Sequence, residues 1–268
     1  MAKKIIQGDK YMAEWNPFPH PGAYAFDAAS LKKNWARLHR GDCEPCPKDA
    51  AVLQAWVLFH NGEFQKAAEA GLNAGGAGIT VANKATCIYA NYLENREKTK
   101  LDLFLQAAER AGEQQASEPK NANAWYWQAY ALGRYSQGIS VAKALAQGLG
   151  SKVKAALEQT IKLSPQHADA HIALATFHAE VIDKVGSLIG SMTYGAKKDT
   201  GLALYREALA LNPGSAIAMT EYANGLVMLE GDKRMKEATR LYEQAAASEP
   251  MDATERLDVE MARVELQD

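Results

Sequence analysis

Apolar residues recur three and four positions apart along most of this chain, the spacing of one buried helical face. Leu31, Trp35 and Leu38 share such a face, and Asp27 ahead of them suits the cap of a first helix running to about Arg40. Pro47 opens a second helix carrying Val52, Trp56 and Phe59. Helical patterns then alternate to the C-terminus, where residues 252–266 are charged and read as a polar closing helix. Residues 11–24 break the rhythm with three prolines, Trp15 and Phe18. Their aromatic content predicts an extended arm, residues 1–26, laid against a single helical domain over residues 27–268.

The pattern also repeats. Four segments end alike: QQASEP at 114–119, TIKLSP at 160–165, ALALNP at 208–213 and AAASEP at 245–250. Aligned on these prolines, eight residues before them stand Ala111, Leu157, Tyr205 and Tyr242, and twelve before stand Ala107, Val153, Gly201 and Ala238. Six residues after the first three stand Trp125, His171 and Met219; ten after stand Ala129, Ala175 and Ala223; thirteen after stand Leu132, His178 and Leu226. Small residues let two antiparallel backbones approach, and large ones fill the adjoining holes. Proline closes each second helix because it cannot donate to a continuing one.

These residues resemble the tetratricopeptide (TPR) repeat family, and the stretch Asn61 to Ala67 (NGEFQKA) matches that family's turn between helices. There Gly62 would take the left-handed cap conformation, Phe64 would wedge between helices and Ala67 would sit at their closest approach. The resemblance implies an all-α fold, an α-α superhelix of antiparallel helix pairs. The proline spacings of 46, 48 and 37 depart from the family's 34. The extra residues fall inside a pair, at 136–152 and 183–199, and both inserts are rich in Gly and Ser. Inserts so placed look like those of the regulator-of-microtubule-dynamics branch, which has bacterial relatives.

Composition agrees with a helical chain: 49 alanines stand against only 10 valines and 10 isoleucines. The net charge is −2, and residues 214–268 hold 12 acids against 6 bases. No basic face of the kind nucleic-acid binding needs is visible. No apolar run is long enough to span a bilayer, and the start lacks the apolar stretch of a secretory signal. Three cysteines cannot all pair, so a reducing, cytoplasmic setting is expected.

Candidate chemistry is sparse. Cys43 and Cys46 form a CxxC, but in a proline-rich connection with no strand before it and too few further ligands for zinc. His167, His171 and His178 cluster with Asp169, and a four-residue step suits two metal ligands on a helix. The repeat alignment instead places His171 and His178 at packing positions, with His167 in the turn between repeats. His39 and His60 each stand two residues before a glycine that ends a helix, where an imidazolium would favour the helix dipole. Residues 190–197 break the phosphate-loop pattern, because Ala196 separates Gly195 from Lys197. No cofactor or metal is expected. An enzyme would first be suggested by a deep pocket bordered by Tyr194 and Lys197.

What remains is the concave groove that the resemblance implies. Positions facing it lie four, seven, eleven and fifteen after each proline: Asn123, Tyr126, Tyr130 and Arg134; Asp169, Ile172, Thr176 and Glu180; Ile217, Thr220 and Asn224. The expectation is a non-enzymatic scaffold that holds a protein or peptide there, with self-association into a homodimer compatible with such a surface. The other reading is a small-molecule or metal-binding protein using the inserts or the histidine cluster.

Overall fold

The computed structural model describes residues 14–267. Helices follow in the order α1 (Ala28–Leu38), α2 (Ala50–His60), α3 (Phe64–Ala74), α4 (Gly78–Tyr92), α5 (Glu97–Ser117), α6 (Ala122–Gln137) and α7 (Val141–Ala146). Then come α8 (Leu149–Leu163), α9 (Ala168–Val185), α10 (Ser187–Tyr194), α11 (Lys198–Leu211), α12 (Ala216–Glu230), α13 (Met235–Ala246) and α14 (Ala253–Glu265). No strand occurs among the described residues.

Local signals explain where these helices begin. Asp27 and Ser30 form a reciprocal capping box on α1. Side chains of Asp49, Asn121, Ser215 and Asp252 accept backbone N–H bonds at the starts of α2, α6, α12 and α14. The helices pack as antiparallel pairs, α2 with α3, α4 with α5, α6 with α8, α9 with α11 and α12 with α13. The two inserts lie inside the third and fourth of these pairs, as expected, but each folds into a short helix of its own, α7 and α10.

The small and large positions found by alignment are the places where helices touch. Ala107, Ala111, Ala129, Ala175, Ala223 and Ala238 are all essentially inaccessible. In the turn between α2 and α3, Gly62 has φ +84°, Phe64 is buried and Ala67 has no exposed surface. Gly62 also has the Phe18 ring against its Cα, where a Cβ would come within 2.6 Å of that ring.

Residues 14–26 run extended over α2, α3 and α4. Trp15 stacks on Tyr89 with ring centroids 4.2 Å apart, and the Asn61 amide bonds both backbone polar groups of Phe26. Residues 1–13 of the expected arm lie outside the described residues.

The C-terminal helix packs on the last pair and reaches further: α14 buries Ala253, Leu257, Asp258, Val259 and Ala262. It meets the N-terminal elements at four places: His20 with Glu260 (2.7 Å), Arg37 with Glu255, His60 with Asp252 (2.6 Å) and Tyr92 with Asp258 (2.5 Å). The superhelix therefore closes on itself.

Candidate functional site: a cavity closed by the last helix

Closure converts the concave face into a cavity of about 330 Å³ bounded by α4, α6, α9, α12 and α14. The inserts contribute to its wall: Val141, Ala144 and Leu145 of α7 line it, as does Tyr194 at the end of α10. Tyr194 is seated against Gly150, where a Cβ would come within 2.7 Å of its ring.

Most of the groove positions converge here. Tyr126, Tyr130 and Arg134 stand on successive turns of α6, facing Asp169, Ile172, Thr176 and Glu180 of α9, with Ile217 beside them. Three expected groove residues do not reach it. Asn123 is buried: its Nδ2 donates to Asp42 O (3.0 Å) and Glu44 Oε2 (2.6 Å), and its Oδ1 accepts from His167 Nε2 (2.9 Å). Thr220 is fully buried and bonds Ala216 O of its own helix, while Asn224 accepts from the Tyr242 hydroxyl on α13. Both lie on α12, whose faces are covered by α9, α13 and α14, so the last repeat has no free groove at those places.

The alignment also passed over residues that do line the cavity. The eighth position after each proline, Trp127, Ala173 and Glu221, belongs to the same stripe because helical neighbours recur at four, seven and eight. Lys84, Tyr92 and Asp42 come from elements before the aligned segments, and Asp252 and Asp258 arrive through closure of α14.

A buried polar chain forms the cavity's floor. Asp252 meets His60 Nδ1, His60 Nε2 faces His39 Nε2 at 3.2 Å, His39 Nδ1 reaches Asp42 Oδ1 at 2.9 Å, and Lys84 Nζ donates to Asp42 Oδ2 at 2.6 Å. Burial opposes charge on Asp42, but Lys84 and His39 together hold its carboxyl well below the usual range. With Asp42 ionised, His39 donates from Nδ1. Burial pushes His39 down to about 4, so its Nε2 is free to accept from His60 Nε2. His39 and His60 are thus partners in this chain, and not the separate helix-dipole cations expected from sequence. Lys84 is further held over the rings of Trp56, Phe59 and Trp127, at 5.2–5.9 Å.

Higher up, Arg134 bonds Glu221 Oε1 (3.0 Å) and lies over the Tyr130 ring, while Thr176 donates to Glu221 Oε2 (3.2 Å). Tyr92 donates to Asp258. Asp169 is different. It is half-buried and lines the cavity. It makes no side-chain hydrogen bond or ion pair with any described residue. Gly41 makes room for it: Asp169 N bonds Gly41 O (3.0 Å), and a Cβ on Gly41 would collide with the carboxylate. Burial, reinforced by the charge of Asp42, pushes Asp169 up to about 7.

The three histidines do not form a metal site. The Nδ1 of His167 caps α9 by accepting from Ala170 N (3.1 Å), His171 bonds His167 O (3.0 Å), and His178 accepts from Lys197 N (3.1 Å). No group of three or more His, Cys, Asp or Glu among the described residues could hold a metal ion. Cys43 and Cys46 are free thiols, and burial raises Cys43, the reverse of what a reactive thiolate needs. Lys197 does not line the cavity. No helix among the described residues is long and apolar enough to cross a membrane.

No family model matches the chain, and no curated protein matches it. Among solved structures it is similar to TTC0263, a thermophilic TPR protein of Thermus thermophilus, with a TM-score of 0.55 and 17% identity over 80% of this chain and 97% of that one. The fold is a TPR-like α-α superhelix.

Proposed function

We infer that this protein is a non-enzymatic binding protein which encloses a small ligand in its concave cavity. The observation that carries this reading is the closure of α14 onto α1, α2 and α4 around a space lined by aromatic rings and a few polar groups. Ligand pockets are of this kind, a few hundred Å³ with mostly carbon walls and convergent polar atoms. An extended peptide would need a groove open at both ends, and Thr220 and Asn224 of the last repeat are taken up by contacts within the fold. Peptide binding along the groove remains the second reading. Its support is that eight of the eleven expected groove positions share one cavity surface. The likeness to the regulator-of-microtubule-dynamics branch rests on the placement of the inserts alone.

A thermal-shift screen of small metabolites and short peptides tests the reading, with Ala173→Trp as the filled-cavity control. A ligand at one hundred times its Kd adds about 2.7 kcal/mol, a rise of roughly 5–10 °C for a chain of this size. The expected result is such a rise in wild type, absent in Ala173→Trp. Peptides that stabilise both proteins equally would contradict it.

A further inference from the structure

The charges around the cavity do not balance within the fold. Asp42 is matched by Lys84 and Glu221 by Arg134, while Asp252 bonds His60 Nδ1. Among the other lining residues, Arg37 pairs with Glu255 and Lys184 with Glu180. Three lining carboxyl groups have no cation partner among the described residues, and of these Glu249 is exposed while Asp169 and Asp258 are drawn into the fold. Asp258 has only the Tyr92 hydroxyl, and Asp169 has no partner among the described residues. The Tyr126 hydroxyl is likewise without a hydrogen bond to any described residue, and its ring lies in the wall beside Asp169.

A buried carboxylate with no counter-ion is costly, and the usual response is to retain the proton. Burial pushes Asp169 up to about 7 and Asp258 to about 8. The free cavity is thus built to become anionic when something positive enters. Anions are disfavoured, because Lys84 and Arg134 already have their carboxylates. A bare metal ion is a poor fit, since no three ligating side chains gather among the described residues. The remaining walls, Tyr130, Ile172 and Ala173, offer carbon surface and a ring face, which suit an alkyl chain ending in a cation.

We propose that the cavity binds a small aliphatic amine in its protonated form, one ammonium group donating to Asp169 and to the Tyr126 hydroxyl, and in a diamine the second donating to Asp258. This deepens the reading of the cavity as a ligand site and rests on it.

Isothermal titration of the whole protein with 1,4-diaminobutane, n-butylamine and succinate at pH 8 tests it. Both amines bind with one-to-one stoichiometry, the diamine at least tenfold more tightly, and succinate does not bind. Asp169→Asn, which keeps the shape and removes the charge, weakens the diamine about 30-fold or more. Asp258→Asn brings the diamine down to the affinity of n-butylamine. Tyr126→Phe gives an independent, smaller loss of about tenfold, so the test survives if one variant folds poorly. Affinity also rises between pH 6 and pH 8.5, as Asp169 and Asp258 ionise while the amine stays protonated. The groups that act on this titration are Asp42, Lys84 and Tyr126 around Asp169, and Tyr92, Asp252 and Glu255 around Asp258. Amine binding that is absent, or unchanged by Asp169→Asn, overturns the proposal. Succinate binding that disappears in Ala173→Trp would overturn it too, while leaving the cavity a ligand site.

Discussion

Asp252 and His60 stand 192 positions apart in the chain, and their side chains meet at 2.6 Å inside the protein. Asp252 does two things at once. One oxygen caps α14 by accepting from Glu255 N (2.8 Å), and the other holds the imidazole at the end of α2. Closure of the superhelix is therefore tied to the start of its last helix.

Asp252→Ala removes both contacts. Removing the carboxylate partner of a buried hydrogen bond costs about 1.5–3 kcal/mol, and the lost cap adds to it. Ser215→Ala removes a cap of the same kind on α12 with no long-range bond, and costs about 1 kcal/mol. Chemical denaturation of the two variants should show that difference. Hydrogen exchange should rise in α14 and at the end of α2 for Asp252→Ala only.

Asn123→Ala separates packing from binding. The Asn123 side chain joins the loop carrying Asp42 and Glu44 to His167, with no reach into the cavity. Its loss leaves buried partners unsatisfied and should lower stability by about 2–3 kcal/mol. Ligand affinity, measured where the variant is fully folded, should change less than threefold.

The pH dependence of stability carries a definite sign at Asp169. Its folded-state pKa of about 7 exceeds the unfolded value, so the native state holds more protons between about pH 4 and pH 7. Stability from this group falls as pH rises through that window and stays low above it. Asp169→Asn should therefore melt higher than wild type at pH 8, by an amount on the order of 2–4 kcal/mol, and match it near pH 4. Melting curves at the two pH values check this.

His167 acts in the opposite direction. Burial lowers it to about 4, and its Nδ1 accepts a backbone N–H in the neutral form. The unfolded chain takes up the proton first as pH falls from about 6.5 to 4, so stability is lost over that range. His167→Asn, which retains a capping oxygen, should flatten the loss seen in acid denaturation.

The repeat pattern was legible because its determinants are local. Small residues at fixed distances from Pro119, Pro165, Pro213 and Pro250 mark helix contacts whatever the chain does elsewhere. The groove stripe on α6 and α9 followed from the same spacing, and Trp127, Ala173 and Glu221 were within its reach. Closure was not legible. The pairs His60 with Asp252 and Tyr92 with Asp258 depend on how far the superhelix turns, a sum over every interhelical angle that no local pattern encodes. The charged surface of residues 252–266 pointed to solvent, and that charge is instead what joins α14 to α1, α2 and α4. For the same reason the CxxC and the histidine cluster drew attention, while Asp258 and Lys84 came to the wall beside the expected Asp169 unannounced.

Small-angle X-ray scattering of the purified protein tests the closed superhelix most directly. A compact chain of this length has a radius of gyration of about 18 Å. The closed ring predicts a value within about 2 Å of that, with a symmetric pair-distance distribution. An elongated distribution with a radius several ångströms larger would mean that α14 does not meet the N-terminal helices, and the enclosed cavity would fall with it.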